Sequence, residues 1–203
     1  TSGLHIACMT LGVKKNDIVW TSAISFVASA NAAVYCSADI DFLDISLEDY
    51  NIDIKSLEKK LIVAKRKNKL PKVIIVVHFA GNPCQMKKIY LLKKKYKFKI
   101  IEDASHALGA RYMNKRVGNC EFSDMCVFSF HPVKSITTAE GGIVTTNNKK
   151  FFNDLKLYRE HGINRNFINK KVRPKYYEQI KLGYNYRMNE IQAAIGIEQL
   201  KKL

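Results

Sequence analysis

The stretch Lys72-Val73-Ile74-Ile75-Val76-Val77-His78-Phe79 decides the fold class of this 203-residue chain. It is a nearly continuous apolar run, which is typical of a β-strand that is buried on both faces. Such a strand needs a layer of helices on each side of its sheet. The run therefore predicts a largely parallel sheet inside an α/β domain.

The segments on either side of this run alternate between strand and helix patterns. Strands are predicted for residues 17–21, 39–44, 98–102, 125–130 and 143–146, and helices for residues 22–35, 54–67, 86–96 and 149–161. Ser22 or Ser25 would cap the helix at 22–35. Strands that alternate with helices imply right-handed crossovers, so we expect one domain with a three-layer α/β/α architecture.

The composition is that of an ordinary globular domain, apart from its strong positive charge. Hydrophobic residues make up 47% of the chain, and no apolar run reaches the length of a membrane span. The formal net charge of +16 raises the hypothesis of a nucleic-acid partner. However, the lysines of residues 59–72, 87–99 and 149–175 alternate with Leu, Ile and Tyr as on solvated helix faces. We expect a cytoplasmic protein without a nucleic-acid or membrane partner.

The cysteines give no sign of a disulfide framework or a metal site. They are five in number, and the sequence holds neither a C-x-x-C pair nor a Cys/His cluster at metal-ligand spacing. The five are Cys8, Cys36, Cys84, Cys120 and Cys126. We expect them to be reduced and mostly buried, and we expect no bound metal.

Polar residues that follow the predicted strands are the first candidates for a site, because ligands of such sheets bind beyond the carboxyl ends of the strands. Thr21, His78 and Asp103 lie there, as does the segment 129–134. Asp103 ends an apolar strand, where a carboxylate is tolerable if it meets a cation or a protonated ring nitrogen. A helix N-cap is the alternative role for Asp103.

The segment Phe128-Ser129-Phe130-His131-Pro132-Val133-Lys134 carries a lysine with little other charge around it, ahead of Gly141-Gly142. The glycines allow close approach of the backbone. A buried lysine loses its proton more readily, and its free amine can form a Schiff base with an aldehyde. A merely solvated lysine is the alternative. At the start of the chain, Thr1 and Ser2 lead into an apolar helix and could form an anion site or simply cap it.

Five segments, in order along nearly the whole chain, resemble the sugar aminotransferases of the DegT/DnrJ/EryC1/StrS family. These are pyridoxal-phosphate enzymes of the aspartate-aminotransferase fold type I. The segments are residues 24–32, 77–81, 102–110, 128–134 with 140–142, and 182–188. Residues 24–32 and 128–134 most resemble the members that act in pseudaminic acid biosynthesis, on a UDP-linked 4-keto-6-deoxy-N-acetylhexosamine.

The resemblance implies roles for particular residues around the cofactor ring. Lys134 falls on the lysine that forms the Schiff base with pyridoxal phosphate and later moves a proton between substrate and cofactor. Asp103 falls on the carboxylate that keeps the pyridine nitrogen protonated. His106 lies where the family has Gln or His near the 3′-oxygen of the cofactor. Phe26 matches the aromatic residue that stacks on the ring, with a core phenylalanine as the alternative.

The resemblance also assigns the phosphate end of the cofactor. Thr1, Ser2 and Ser129 match the residues that hold the phosphate. Asn185 or Arg187 is expected to reach the cofactor phosphate of the other subunit, because these active sites form at the interface of a homodimer. The family further implies that residues 1–203 are the cofactor-binding large domain, truncated before Thr1 and lacking a smaller C-terminal domain.

The implied reaction transfers an amino group, most often from glutamate, to a nucleotide-linked keto-sugar. Lys134 favours transamination over the related sugar dehydratases, which have histidine at that position. Three alternatives stay open. Another member of the family would use a perosamine-type or bacillosamine-type sugar. A regulator without activity would be expected to lack Lys134 or Asp103, and a nicotinamide-dependent oxidoreductase would show G-x-G-x-x-G, which is absent from the sequence.

Overall fold

The computed structural model describes residues 1–164 and 177–203, and its centre is one six-stranded sheet. The strands are β1 Ile18–Ser22, β2 Asp39–Leu43, β3 Val73–Val77, β4 Lys99–Asp103, β5 Arg111–Tyr112, β6 Lys115–Arg116, β7 Met125–Ser129, β8 Gly142–Thr145, β9 Ile163–Asn164 and β10 Glu178–Gln179. The central sheet has the order β2-β1-β3-β4-β7-β8, whereas β5 pairs with β6 and β9 with β10. Neighbours in the central sheet are parallel except for β7 and β8. The sheet is therefore largely parallel, as predicted.

Helices cover both faces of this sheet. They are α1 Ser2–Thr10, α2 Ala28–Val34, α3 Ile54–Arg66, α4 Met86–Tyr96, α5 Lys149–Arg159 and α6 Glu190–Leu200. Helices α1, α2 and α5 pack on one face, and α3 and α4 pack on the other. Val73 and Ile75 of β3 contact the first group, while Ile74 and Val76 contact the second. Strand β3 is thus buried on both faces, which confirms the three-layer α/β/α domain.

The lysine-rich helices show how the positive charge is accommodated. Helix α3 begins at Asp53, whose side chain accepts a hydrogen bond from the Ser56 backbone N–H at 2.7 Å. Its Leu57 and Leu61 are buried in the core, whereas Lys59 between them is exposed. This pattern is that of a solvated helix face, as predicted. Residues 165–176, which hold the end of the third lysine-rich segment, lie outside the described residues.

The helix predicted for residues 22–35 is shorter, and its predicted caps are wrong. Ser22 continues β1, where it pairs with Leu43 of β2, so the strand extends further than its sequence suggests. The residue that precedes α2 is Val27, whose apolar side chain cannot accept a capping hydrogen bond. Ser25 lies in the loop between β1 and α2, at the edge of the sheet. The loop that results is part of the candidate site described below.

The cysteines are reduced and mostly buried, as expected. All five cysteines lie in the described residues and are free thiols, and Cys36 alone among them is only partly buried. Burial raises the pKa of the Cys36 thiol to about 11.

In the described residues, no helix combines the length and the apolar character needed to cross a membrane.

A buried histidine ties α1 to the segment that follows β10. The ring of His5 is 5% exposed, and its Nδ1 lies 3.1 Å from the hydroxyl of Tyr186. Tyr35 and Tyr184 meet the same ring edge-on, with centroid distances of 5.5 and 5.0 Å. Tyr184 also stacks on Tyr186 at 5.0 Å. Burial lowers the pKa of His5, since the apolar rings disfavour its charged form.

This burial predicts a pH dependence of stability. The unfolded chain binds a proton at His5 more readily than the folded chain does, so stability is present above the ordinary histidine pKa of 6.5 and decreases below it. His5→Gln keeps a partner for Tyr186 but cannot titrate. We expect the slope of unfolding free energy against pH, between about pH 7 and pH 5, to fall by at most roughly 1.4 kcal/mol per pH unit.

The measurement is chemical denaturation of parent and variant at a series of pH values. A residual slope is expected in the variant, because burial and Lys134 also lower the pKa of His106. Identical slopes in the two proteins would contradict the prediction.

Candidate active site

The candidate site lies at the carboxyl edge of the central sheet, as expected from the sequence. Asp103 is the last residue of β4 and Ser129 is the last residue of β7, which is the neighbouring strand. Lys134 lies in the loop that leads from β7 to β8. The backbone N–H of Phe130 donates to the carbonyl of Gly141 at 2.8 Å and closes this loop at its base.

Asp103 is 5% exposed and is held by donors on both carboxylate oxygens. The hydroxyl of Ser105 donates to Oδ1 at 2.6 Å, and the Ser105 backbone N–H donates to the same oxygen at 3.2 Å. The hydroxyl of Ser29 donates to Oδ2 at 2.6 Å. A carboxylate offers about four acceptor positions. In the described part of the chain, Oδ1 receives two donors and Oδ2 receives one, so Oδ2 has an acceptor position free for a ligand.

The alternative role of Asp103 as a helix cap is wrong. Residues 104–110 form turns rather than a helix, and the bond from the Ser105 N–H to Oδ1 closes a short turn of the loop. The side chain is therefore oriented by the loop and by Ser29 of α2. A buried carboxylate with a free acceptor position is suited to pair with a protonated ring nitrogen.

His106 brings Lys134 and Asp103 into one cluster. The Lys134 Nζ lies 2.5 Å from His106 Nε2, and where Nζ is the donor of this contact, Nδ1 carries the proton of the neutral ring. Burial, and next the positive charge of Lys134, lower the pKa of His106, while Asp103 opposes them. His106 thus contacts Lys134 and lies on the loop that Asp103 begins. Lys134 itself is only partly buried.

A glycine positions the loop that carries His106. Gly81 ends the segment 77–81 with φ +86°, a conformation that favours glycine. A Cβ at this position would lie 2.6 Å from the His106 carbonyl oxygen. Only a residue without a side chain therefore lets the turn after β3 and the loop after β4 approach each other this closely.

Phe26 is not a core residue, so that alternative reading is wrong. Its side chain is 74% exposed and lies on the loop between β1 and α2. The neighbouring Ser25 is within 2.9 Å of Ser29, hydroxyl to hydroxyl, and Ser29 contacts Asp103. The loop that carries Phe26 is thus connected to the buried carboxylate through Ser25 and Ser29. The exposed ring of Phe26 offers a flat apolar surface on which a planar ligand can stack.

The start of α1 contributes hydroxyl groups to the same region. Thr1 precedes the helix and Ser2 begins it, and both are exposed. Within the described residues, the Thr1 side chain makes no capping hydrogen bond. A Cβ at Gly3 of α1 would lie 2.8 Å from a Cγ atom of Val127, which pairs with Asp103 in the sheet. The amino end of α1 therefore lies near the cluster of Asp103 and Lys134, where a helix N-terminus favours an anion.

Ser129 can donate to a ligand at this edge of the sheet, whereas Asn185 lies outside the cluster. The Ser129 Oγ accepts a hydrogen bond from the His131 backbone N–H at 3.3 Å, so its own proton is available to a ligand. Asn185 is exposed and forms a backbone bridge with Glu160. Arg187 is exposed as well. The structure thus leaves Asn185 and Arg187 outside the cluster of this chain, and their role toward another subunit stays a prediction.

Sequence reasoning missed the partners of Asp103 and overvalued two other residues. Ser29 and Ser105 are small residues inside family-like segments, and only the packing of α2 against β4 reveals their contact with the carboxylate. Thr21 donates to the carbonyl of Ile75 at 3.0 Å and is a structural residue. No feature of the sequence distinguishes Ser29 and Ser105 from serines that only pack.

His78 also turns away from the site. Its Nδ1 accepts a hydrogen bond from the Cys84 backbone N–H at 3.2 Å, so Nε2 carries the proton. This nitrogen lies 2.8 Å from Oε2 of the buried Glu102, and Ser123 donates to the other carboxylate oxygen. Glu102 and Asp103 are successive residues of β4, so their side chains point to opposite faces of the sheet.

Comparison with known proteins places this arrangement in a family. The family model of the DegT/DnrJ/EryC1/StrS aminotransferases matches residues 1–203. The chain is 47% identical over 203 residues to a UDP-4-amino-4,6-dideoxy-N-acetyl-beta-L-altrosamine transaminase of Campylobacter jejuni, of which it covers 50%. It is 36% identical over 202 residues to GDP-perosamine synthase of Escherichia coli O157:H7, of which it covers 51%. The chain thus spans about half the length of the curated relatives it matches.

Solved structures have the same fold. An aminotransferase of Helicobacter pylori that is involved in the biosynthesis of pseudoaminic acid matches with a TM-score of 0.84 and 36% identity, over 99% of this chain and 51% of that one. NtdA of Bacillus subtilis with bound cofactor PMP matches with a TM-score of 0.81 and 28% identity, over 98% of this chain and 42% of that one. With a family model that matches every residue, the chain belongs to the DegT/DnrJ/EryC1/StrS aminotransferase family.

Proposed function

We propose that the protein is a pyridoxal-phosphate-dependent aminotransferase that transfers an amino group from glutamate to a UDP-linked 4-keto-6-deoxy-N-acetylhexosamine. The observation that carries the proposal is the cluster in which the Lys134 amine contacts His106, three residues after the buried Asp103. An amine and a buried carboxylate at one sheet edge are the two groups that such a cofactor requires.

The residues of the cluster fit this cofactor. Oδ2 of Asp103 has an acceptor position for the pyridine N–H, and Phe26 offers an exposed ring for stacking. Thr1 and Ser2 supply hydroxyls at the amino end of α1, where the helix dipole favours a phosphate. The hydroxyl of Ser129, the last residue of β7, is a further hydrogen-bond donor.

The bound cofactor supplies an electron sink, which stabilises negative charge at the substrate carbon. Lys134 supplies the amine that anchors the cofactor, and the same amine moves a proton at the reacting carbon once it is released. His106 accepts the hydrogen bond of Lys134 and orients the amine. Burial and the charge of Lys134 lower the pKa of His106, which disfavours a second positive charge beside the amine. Asp103 holds the proton on the ring nitrogen.

The substrate class and the second subunit are proposed from the relatives. UDP-4-amino-4,6-dideoxy-N-acetyl-beta-L-altrosamine transaminases match at 47% and 45% identity, which favours a UDP-linked sugar. We propose that residues 1–203 are the large domain of a homodimeric, cytoplasmic enzyme. A smaller C-terminal domain would complete the sugar-nucleotide pocket. The similarity to GDP-perosamine synthase keeps a GDP-linked 4-keto sugar as the second candidate substrate.

Replacement of Lys134 tests the proposed anchor. The intact gene product with pyridoxal phosphate should show a visible absorption band, and borohydride should fix the cofactor on Lys134. Lys134→Ala should lose both the band and the adduct, and its activity should fall by roughly 10²-fold to 10⁴-fold or more, because it lacks the proton-transferring amine. Absorbance spectroscopy and mass spectrometry of the reduced protein measure the outcome.

Lys115→Ala is the matched control, because Lys115 is an exposed lysine that pairs with Glu121. It should retain the band. A borohydride-reducible adduct that persists in Lys134→Ala would show that another amine holds the cofactor and would refute the assignment.

The substrate proposal predicts a preference among nucleotide sugars. In an assay of UDP-, GDP- and dTDP-linked 4-keto sugars with glutamate as donor, the UDP-linked N-acetylhexosamine should give the highest kcat/KM, by about tenfold or more over the others. Product formation is measured by mass spectrometry of the aminated sugar nucleotide. A higher kcat/KM for the GDP-linked sugar would favour the second candidate.

The shared site of the proposed homodimer predicts complementation between two defective subunits. Lys134→Ala and Asn185→Ala should each lower activity. When the two variants are unfolded and refolded together, a mixed dimer has one site with both native residues if Asn185 acts in the other subunit. Activity should then recover to about a quarter of the parent value, because about half of the dimers are mixed and each has one intact site. If mixing restores no activity, Asn185 does not act across the interface.

A further inference from the structure

We propose that Ser29 is a positioning residue, which fixes the orientation of the Asp103 carboxylate so that Oδ2 faces the ring nitrogen of the cofactor. The inference rests on the proposed function, since it assumes that a pyridine ring binds beside Asp103. It adds a residue to the site that neither motif spacing nor the resemblance to the family assigns.

The contact between Ser29 and Asp103 joins parts of the fold that are distant in sequence. Ser29 is the second residue of α2, and its side chain is fully buried. Its hydroxyl donates to Oδ2 of Asp103 at 2.6 Å, across 74 positions of the chain. Because an ionised carboxylate only accepts hydrogen bonds, the single hydroxyl proton of Ser29 is committed to Asp103. The Ser25 hydroxyl lies 2.9 Å from the Ser29 hydroxyl and 3.2 Å from the Phe26 carbonyl, so its one proton is shared between these two acceptors.

The identity of the residue argues for a role beyond helix packing. The other buried residues of α2 are alanines, namely Ala28, Ala32 and Ala33. Alanine is the better helix former, and a buried hydroxyl costs free energy unless it is hydrogen-bonded. A serine at this position of an otherwise apolar face is therefore explained by its hydrogen bond and not by helix packing. That bond is to the carboxylate of the site.

The two anchors of Asp103 act on different oxygens. Ser105 binds Oδ1 from the same loop, two residues away, and supplies both of the donors on that oxygen. Ser29 binds Oδ2 from another element of the fold. With both anchors in place, the carboxylate cannot rotate about its Cβ–Cγ bond. Without Ser29, Oδ1 would stay fixed by its local turn, and Oδ2 would be free to leave the direction of the ring nitrogen.

The test compares Ser29→Ala with Ser105→Ala in the intact gene product with pyridoxal phosphate. Ser29→Ala should raise the dissociation constant of the cofactor by about tenfold. It should also shift the pH titration of the visible absorption band, because the ring nitrogen holds its proton less firmly. Ser105→Ala should have the smaller effect on both quantities, since the Ser105 backbone N–H still binds Oδ1.

Two further measurements separate positioning from folding. The apoprotein of Ser29→Ala should still unfold cooperatively, at a temperature lower than that of the parent, because the buried Asp103 carboxylate loses a donor while alanine suits the helix. Ser29→Thr keeps the hydroxyl and should return the dissociation constant and the titration toward the parent values. Equal defects in the Thr and Ala variants would assign the effect to packing and overturn the proposal, as would a less stable apoprotein with an unchanged titration.

The outcomes also distinguish this inference from the proposed function. If the parent protein binds no pyridoxal phosphate, the proposed function fails before Ser29 is tested. If the parent binds the cofactor and Ser29→Ala binds it with the same dissociation constant and the same titration, the positioning role of Ser29 alone is refuted.

Discussion

The structure of the site depends on one constraint, which is a carboxylate buried at the end of a strand that has helices on both sides. Taking the Asp103 charge out of water is unfavourable unless donors surround it. The donors come from Ser29 of α2 and Ser105 of the following loop. They leave one acceptor position free on Oδ2. His106 and Lys134 lie on the loops that follow β4 and β7 at the same edge of the sheet.

The order of the strands explains how residues that are far apart in sequence reach this position. β3, β4 and β7 are neighbours in the sheet, and their carboxyl ends lie at one edge because they are parallel. The turn after β3 supports the loop of His106 through Gly81, and the loop after β7 brings Lys134 to His106. α1 packs against β7 and α5 and directs its amino end to the same edge. The two hydrophobic cores on either face hold these elements in register.

Much of this arrangement could be predicted from the sequence, and the failures have physical reasons. The apolar run of β3 and the periodicity of α4 determine those elements locally, and Asp103 and Lys134 follow apolar strands. The helix at 22–35 was predicted too long, because the pairing of Ser22 with Leu43 extends β1, which is a tertiary effect. The role of Ser29 has no local signal, since a small residue in a helix is typical of close packing. The contact between His106 and Lys134 depends on the path of two loops, which periodicity does not determine.

The dipeptide Glu102-Asp103 shows how the sheet divides chemically similar residues between two tasks. Because side chains alternate along a strand, Glu102 faces α4 and Asp103 faces α2. Glu102 is satisfied by His78 and Ser123 on its own face. The N–H of Cys84 binds His78 Nδ1 and fixes the tautomer in which Nε2 donates to that carboxylate. His78 also binds the Asp103 carbonyl through its backbone N–H at 3.1 Å. His78 and Glu102 therefore fix the end of β4 on the face opposite the site. A one-residue shift of the strand would place Glu102 at the site and Asp103 on the opposite face.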